Sequence, residues 1–446
     1  MNIFKAKFKI QGGVHPKYRK ELARNEATKR LPLPKILRIS TTQHLGAPSK
    51  PVVKKGDYVK KYQLLAEAAG FISAPVHSPA AGTIKDITTG TGATGAPVIE
   101  IILETNNTSD EDLVGVFPTN DWNTLSPETI LNRVREAGVV GAGGAGFPTY
   151  VKLSPPPGKE IQTLIINGAE CEPYLTADYR LMMEHPKCLV EGIQIICKVL
   201  NVSDAHIAIE DNKPEAIEML SKYIEDNKIE NIKIATLPTF YPQGAEKQQI
   251  FAVTGKQVPS GGLPSDVGVL VENTGTTVAI YNAVVKDLPF IERITTVSGY
   301  GIENPSNVIA PIGTPYQELI DFCGGAKDGV KKIISGGPMM GFAQATTETT
   351  TTKTTSGLLL LTAKEISQFE SSPCISCGRC IAACPMNLMP AELSQFCEAE
   401  DFESAAANRV MDCMECGCCA FSCPAHRPLV QHFRTAKAFL RAQPKK

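Results

Sequence analysis

Ten of the chain's 14 cysteines lie between Cys374 and Cys423, and eight of those ten form two runs of identical spacing. The first run is Cys374-x2-Cys377-x2-Cys380-x3-Cys384-Pro385, and the second is Cys413-x2-Cys416-x2-Cys419-x3-Cys423-Pro424. Thiolates at i, i+3 and i+6 can wrap one iron–sulfur cube in a tight loop, and the fourth cysteine of such a run reaches the other cube. The spacing therefore predicts two 4Fe–4S clusters. One takes Cys374, Cys377, Cys380 and Cys423; the other takes Cys384, Cys413, Cys416 and Cys419. A zinc ribbon is the alternative. It pairs C-x2-C knuckles at four ligands per metal and gives no reason for two matched sets that each end in proline. Cys397 and Cys418 stand outside the spacing and read as small buried hydrophobes, with a ligand swap at Cys418 as the minor alternative.

This clustering also excludes classes. A secreted disulfide scaffold spreads its cysteines to staple loops. The opening residues, MNIFKAKFKIQGGVHP, lack the continuous apolar run of a secretion signal. The most apolar short stretch, 358–361, suits a buried strand and is far too short to cross a bilayer. Lys and Arg number 45 against 46 Asp and Glu, and aromatics are 6%, so neither bulk charge nor base stacking points to nucleic acid.

A second motif lies in the middle of the chain. Ser126-Pro127-Glu128 carries the N-cap, first-turn proline and early acid of a helix start. Gly141-Ala142-Gly143-Gly144-Ala145-Gly146 follows it. Gly141, Gly143 and Gly146 match G-x-G-x-x-G, but after a helix rather than a strand, so the match alone is weak and an interdomain turn would also explain it. Phe147 and Lys152 lie just beyond. Glycine-exposed N–H groups and a lysine can hold phosphates. Segments 162–166, 205–209 and 232–237 read as strands and 185–200 and 214–224 as helices, an alternation that predicts a largely parallel α/β layer. The first strand ends in Asn167-Gly168-Ala169-Glu170-Cys171-Glu172, whose acids and amide suit ribose hydroxyls, a flavin edge or a nicotinamide amide better than phosphate; an ordinary capped turn is the bland reading.

The runs VGAGGAGFPTYVK, INGAECEPYLTADYRLM, FYPQGAEKQQI and VENTGTT together resemble the flavin- and NADH-binding fold of the complex I flavoprotein. With GGVHP and LGAPSKPVVKKGDYVKKYQLLAEAAGFISAPVHSPAAGTI added, nearly the whole chain resembles the RnfC family of the Rnf ion-translocating ferredoxin:NAD oxidoreductases. The resemblance implies a multidomain α/β architecture. It comprises an N-terminal strap (1–30), a barrel-sandwich hybrid (31–105), a Rossmann-like FMN/NADH domain (120–285), a small SLBB-like β-grasp domain (286–345), a Thr-rich arm (346–363) and a helical ferredoxin domain with two 4Fe–4S clusters (364–446). The Thr-rich segment 346–355 is expected as an exposed hairpin arm, and Thr105 to Asp110 as a polar linker.

It also implies cofactor contacts. The glycine loop (Gly141, Gly143, Gly144, Gly146) lies against flavin and dinucleotide, with Phe147 near the nicotinamide and Lys152 on phosphate. Asn167, Glu170 and Glu172 contact flavin and NADH, Tyr241, Gly244 and Glu246 form a second contact loop, and Asn273 and Thr274 hold the flavin phosphate. The complex I pattern has two adjacent asparagines there, whereas Glu272 precedes Asn273 here. NAD(H) and FMN exchange a hydride, and single electrons then pass through the two clusters; no side chain is assigned as catalytic. The implied partners are NADH, the other Rnf membrane and iron–sulfur proteins and, indirectly, ferredoxin, at the cytoplasmic face of the cell membrane. A soluble flavin iron–sulfur reductase of the cobalamin reductase type, and a cluster-carrying scaffold without flavin, are the alternatives. The barrel's hairpin tip, 69–73, lacks the lysine of a swinging-arm carrier, so the barrel reads as a docking surface, and His15, His44 and His77 read as structural.

Overall fold

The computed structural model describes residues 3–106, 121–367 and 369–443. Four sheets organise them. The central one is fully parallel, in the order Ile3–Lys5, Ile232–Leu237, Ala205–Glu210, Thr163–Asn167, Val269–Asn273. Its interior strands read as continuous apolar runs because helices cover both faces. Pro186–Leu200 and Thr274–Val285 pack on one side, where Leu164, Ile166, Ile193 and Ile280 are fully buried in one core. Ile165, Ala208, Val271 and Ile250 of helix Glu246–Thr254 form the other core. The expected α/β layer is present, and its helix Pro127–Glu136 is N-capped by Ser126, whose hydroxyl accepts from the Thr129 N–H.

The edge strand Ile3–Lys5 comes from the N-terminal strap. The strap then runs past Tyr241, with which Val14 forms an isolated antiparallel bridge, and ends as strand Lys29–Arg30 on another sheet. Ile10, Val14, Lys20 and Ala23 are buried along the way, so much of the strap is interior rather than an exposed tether.

Ile36–Ser40, Pro97–Thr105, Gly82–Thr91 and Tyr58–Val59 form one sheet of the barrel unit; Lys50–Pro51, Leu64–Glu67 and Val76–His77 form the other. Leu37, Ile39, Leu65, Ile84, Ile101 and Leu103 fill the space between. Thr105 ends a strand, and the expected linker beyond 106 lies outside the described residues.

The remaining sheet has six strands, with Gly357–Thr362 between Val330–Ser335 and Glu292–Ser298. Leu358, Leu359 and Leu360 are fully buried, as expected for a central strand. The expected exposed arm before it is instead interior: Thr349, Thr350, Thr351, Lys353 and Thr355 are all buried. Their hydroxyls find backbone acceptors: Thr351 donates to Pro311 O at 2.9 Å, and Thr350 donates to Arg38 O at 3.0 Å. A buried hydroxyl is tolerated where it is paired in this way.

The C-terminal region is helical, with Leu429–Ala442 packed on Pro390–Glu398 through Phe433 and Leu393. The helical stretch expected over 391–407 is two helices, Pro390–Glu398 and Phe402–Ala407, separated where Glu400 takes a φ of 56°. Among the described residues, no helix is long and apolar enough to cross a membrane.

Candidate functional site

The glycine loop closes on itself through a Gly141 N–H to Phe147 O bond of 2.9 Å. Its two ends touch different neighbours. A Cβ on Gly143 would sit 2.8 Å from Asn273 Nδ2, and one on Gly146 would sit 2.7 Å from Thr354 Cγ2. Gly146 also has φ +70°, so only glycine fits there without strain. Gly144 faces open space. Ala142 is held from both sides, by Thr276 Oγ1 accepting from its N–H at 2.9 Å and by Arg293 donating to its carbonyl at 2.9 Å.

Asn273 ends the last parallel strand and caps the 12-residue helix Thr274–Val285; its Oδ1 accepts from Gly275 N–H at 2.8 Å. Its Nδ2 donates to Asp178. The adjoining helix N-terminus, the open glycine turn and Lys152 make a chemically suitable place for a phosphate-bearing cofactor. Lys152 Nζ sits 2.9 Å from Glu246 Oε1. Burial lowers its pKa, but the carboxylates of Glu272 and Glu246 outweigh burial and hold it above the ordinary lysine value. Glu272 is buried and its Oε2 has no partner, an unanswered acceptor in the same corner.

Other members of the predicted set are turned to structural work. Asn167 links its strand end to the second contact loop by donating to Gly244 O at 2.8 Å. The Glu170 carboxylate accepts from the N–H groups of Asp178 and Tyr179, at the start of helix Ala177–Glu184. The Glu172 carboxylate accepts from Met339 and Met340 N–H. Burial pushes both acids up to about 7. Tyr241 donates to Cys416 O at 2.8 Å, so its hydroxyl serves the second cysteine run rather than open space.

Lys20 is a site residue that the sequence does not reveal. Its Nζ donates to three carbonyls of the acidic turn, Glu170 at 2.7 Å, Glu172 at 2.9 Å and Leu175 at 2.6 Å. Lys213 holds the same turn from the other side, through Ala169 O at 2.5 Å. No local pattern marks Lys20, because its acceptors lie 150 or more residues away. A cavity of about 560 Å3 opens from Ala142, Asp178 and Gly275 and then follows helix Thr274–Val285; none of the 14 predicted contact residues lines it.

In the cysteine region the crossing is visible. Cys384 of the first run joins Cys413, Cys416 and Cys419 around one small void, closed by Leu388, Val430 and Phe433. Cys380 has Cys423 as a charged neighbour. Backbone N–H groups point at the sulfurs: Leu388 to Cys384, Ser376 to Cys374 and Glu415 to Cys413, each at 3.4 Å. Four soft thiol donors around an apolar void suit an iron–sulfur cluster. Among the described residues no three Cys, His, Asp or Glu side chains are gathered around a single ion position. Cys418 is fully buried, its thiol 3.8 Å from Tyr241 O, which matches its reading as packing. His44 and His77 are buried, with pKa values pushed down by burial to about 4 and about 3, as structural histidines.

The parallel layer and its glycine loop place the chain in a class, the flavin-domain iron–sulfur proteins. A Nuo51 FMN-binding domain matches residues 134–282, an RnfC barrel sandwich hybrid domain residues 8–108, and an SLBB domain residues 294–343. The fold is similar to that of an NAD+-reducing [NiFe]-hydrogenase chain in the air-oxidized state, at TM-score 0.51 and 18% identity over 74% of this chain and 69% of that one. Full-length relatives are more specific. The RnfC-type component of the proton-translocating ferredoxin:NAD(+) oxidoreductase complex of Clostridium ljungdahlii is 47% identical, over 97% of this chain and 94% of its own. The counterpart in the Na(+)-translocating complex of Acetobacterium woodii is 41% identical over the whole of both chains. The counterpart in the ion-translocating oxidoreductase complex of Rhodobacter capsulatus is 42% identical, over 97% of this chain and 83% of its own. The chain belongs to the RnfC family of ion-translocating ferredoxin:NAD oxidoreductase components.

Proposed function

We propose that this protein is the NADH-linked electron-transfer component of a membrane-bound, ion-translocating ferredoxin:NAD oxidoreductase, held peripherally at the cytoplasmic face by the membrane and iron–sulfur proteins of the complex. The observation that carries the reading is the direct contact between two sites. The contact loop of the flavin domain, at Tyr241, packs against Cys416 and Cys418 of the second cysteine run. Bound FMN supplies the conversion between a two-electron hydride donor and one-electron carriers. The chain's residues bind and orient. The glycine loop, Lys152, Asn273 and Thr274 hold phosphates, while Glu170 and Glu172 fix the turn beneath the reacting rings through the bonds described above. Cys374, Cys377, Cys380 and Cys423 hold one 4Fe–4S cluster, and Cys384, Cys413, Cys416 and Cys419 hold the second. Leu388, Val430 and Phe433 keep water from the second cluster. Anaerobic titration with NADH tests this reading. The visible iron–sulfur absorbance should bleach in the parent protein and bleach much more slowly in Lys152→Ala, with iron content unchanged. Bleaching at the parent rate in the variant would remove Lys152 from the site.

A further inference from the structure

The barrel unit sends two loops, 43–47 and 69–73, to the flank of the glycine loop. They are fastened to each other: Ala47 N–H donates to Ile72 O at 3.0 Å, and Ser73 Oγ donates to Ala47 O at 2.9 Å. They are also fastened to the flavin domain. Leu45 N–H donates to Gly146 O at 3.2 Å, and the Tyr150 hydroxyl donates to the Phe71 carbonyl. The Phe71 ring meets the Tyr150 ring edge-on, 6.2 Å between centroids at 82°. Yet Phe71 is 72% exposed and Leu45 is 52% exposed. A phenylalanine anchored on its backbone and buttressed at its edge, with most of its surface left in water, is a surface prepared for a flat ligand.

Position says which ligand. The glycine loop touches Asn273 at Gly143 and the barrel side at Gly146. A dinucleotide with its phosphates on this loop and its nicotinamide on the Asn273 flank must send its adenosine half toward the other flank, where Leu45 and Phe71 stand. We propose that Phe71, with Leu45 beside it, is the stacking surface for the adenine base of the dinucleotide. The hairpin tip that carries an acylated lysine in carrier domains is here an aromatic wall. Base–aromatic stacking needs only a π-face and no hydrogen-bond code, which fits a site built of Phe and Leu. The proposal rests on the dinucleotide reading above.

The test compares two reductants of the cofactor-loaded protein: NADH, and reduced nicotinamide mononucleotide, which lacks the adenosine half. Phe71→Ala should raise KM for NADH about tenfold and leave kcat and the mononucleotide's KM unchanged. Phe71→Trp should restore the parent value. If the parent uses NADH but Phe71→Ala changes neither KM, or changes both equally, this inference is overturned alone. That result with loss of assembly onto the membrane proteins of the complex would mark the patch as a protein contact. A parent protein inert toward both reductants overturns the dinucleotide reading and this inference with it.

Discussion

Lys20→Met removes a buried ammonium that the carbonyl oxygens of Glu170, Glu172 and Leu175 share. Hydrogen bonds to a charged group contribute about 1.5–3 kcal/mol each, and burial of the charge opposes them. That opposition is visible in the pKa of Lys20, which burial drives well below the ordinary lysine value. The variant loses the charge together with its burial cost but leaves three carbonyls facing an apolar side chain. At about 1 kcal/mol for each carbonyl left unsatisfied, the turn should loosen by about 3 kcal/mol. Hydrogen exchange reads this locally: amides over 168–176 should exchange about 150-fold faster, with the cores of the parallel sheet unaffected. Lys20→Arg should not rescue, because a planar fork cannot aim at three oxygens converging on one nitrogen. The pH sign follows from the lowered pKa. The unfolded chain binds more protons between the folded value and the ordinary 10.5, so the parent gains stability as pH rises through that window, and Lys20→Met loses this gain. Unchanged exchange over 168–176 in Lys20→Met would refute the claim that the strap holds the turn.

The remaining predictions concern the crossing cysteines and the acidic turn. Cys384→Ser should degrade the electron paramagnetic resonance signal of the cluster on Cys413, Cys416 and Cys419, and Cys423→Ser that of the cluster on Cys374, Cys377 and Cys380; damage confined to each residue's own run would refute the crossing. Glu172 has a folded pKa raised by burial to about 7 against an ordinary 4.5, so its contribution is complete below pH 4.5 and is lost as pH rises through 7. Thermal unfolding of Glu172→Gln should therefore fall less steeply than the parent between pH 4.5 and 7, the residual slope coming from Glu170, which is raised in the same way. A slope equal to the parent's would count against the burial argument.

The cysteine runs were legible because ligand spacing is a local property, and the strands and helices of the α/β layer because their periodicity is local too. Ile232–Leu237 and helix Pro186–Leu200 fall where the pattern placed them, to within a residue. What escaped was non-local. Nothing near Ile3 announces a parallel partner at Ile234, and nothing near Lys20 announces acceptors at Glu170 to Leu175. The Thr-rich segment misled for a related reason. Threonine density looks like surface until the sequence-distant carbonyls that receive the hydroxyls, such as Pro311 and Arg38, are in place. At the site, residue types pointed to the right turn but not to the orientation of each side chain. Glu170, Glu172 and Tyr241 all lie in the predicted loops, and each spends its polar atoms on protein backbone.

The most direct test of the central claim is the iron and flavin content of anaerobically prepared protein, measured on one sample. Two crossed four-cysteine sets and a flavin fold predict about eight iron atoms and one FMN per chain. Zinc in place of iron, or iron without flavin, would contradict it.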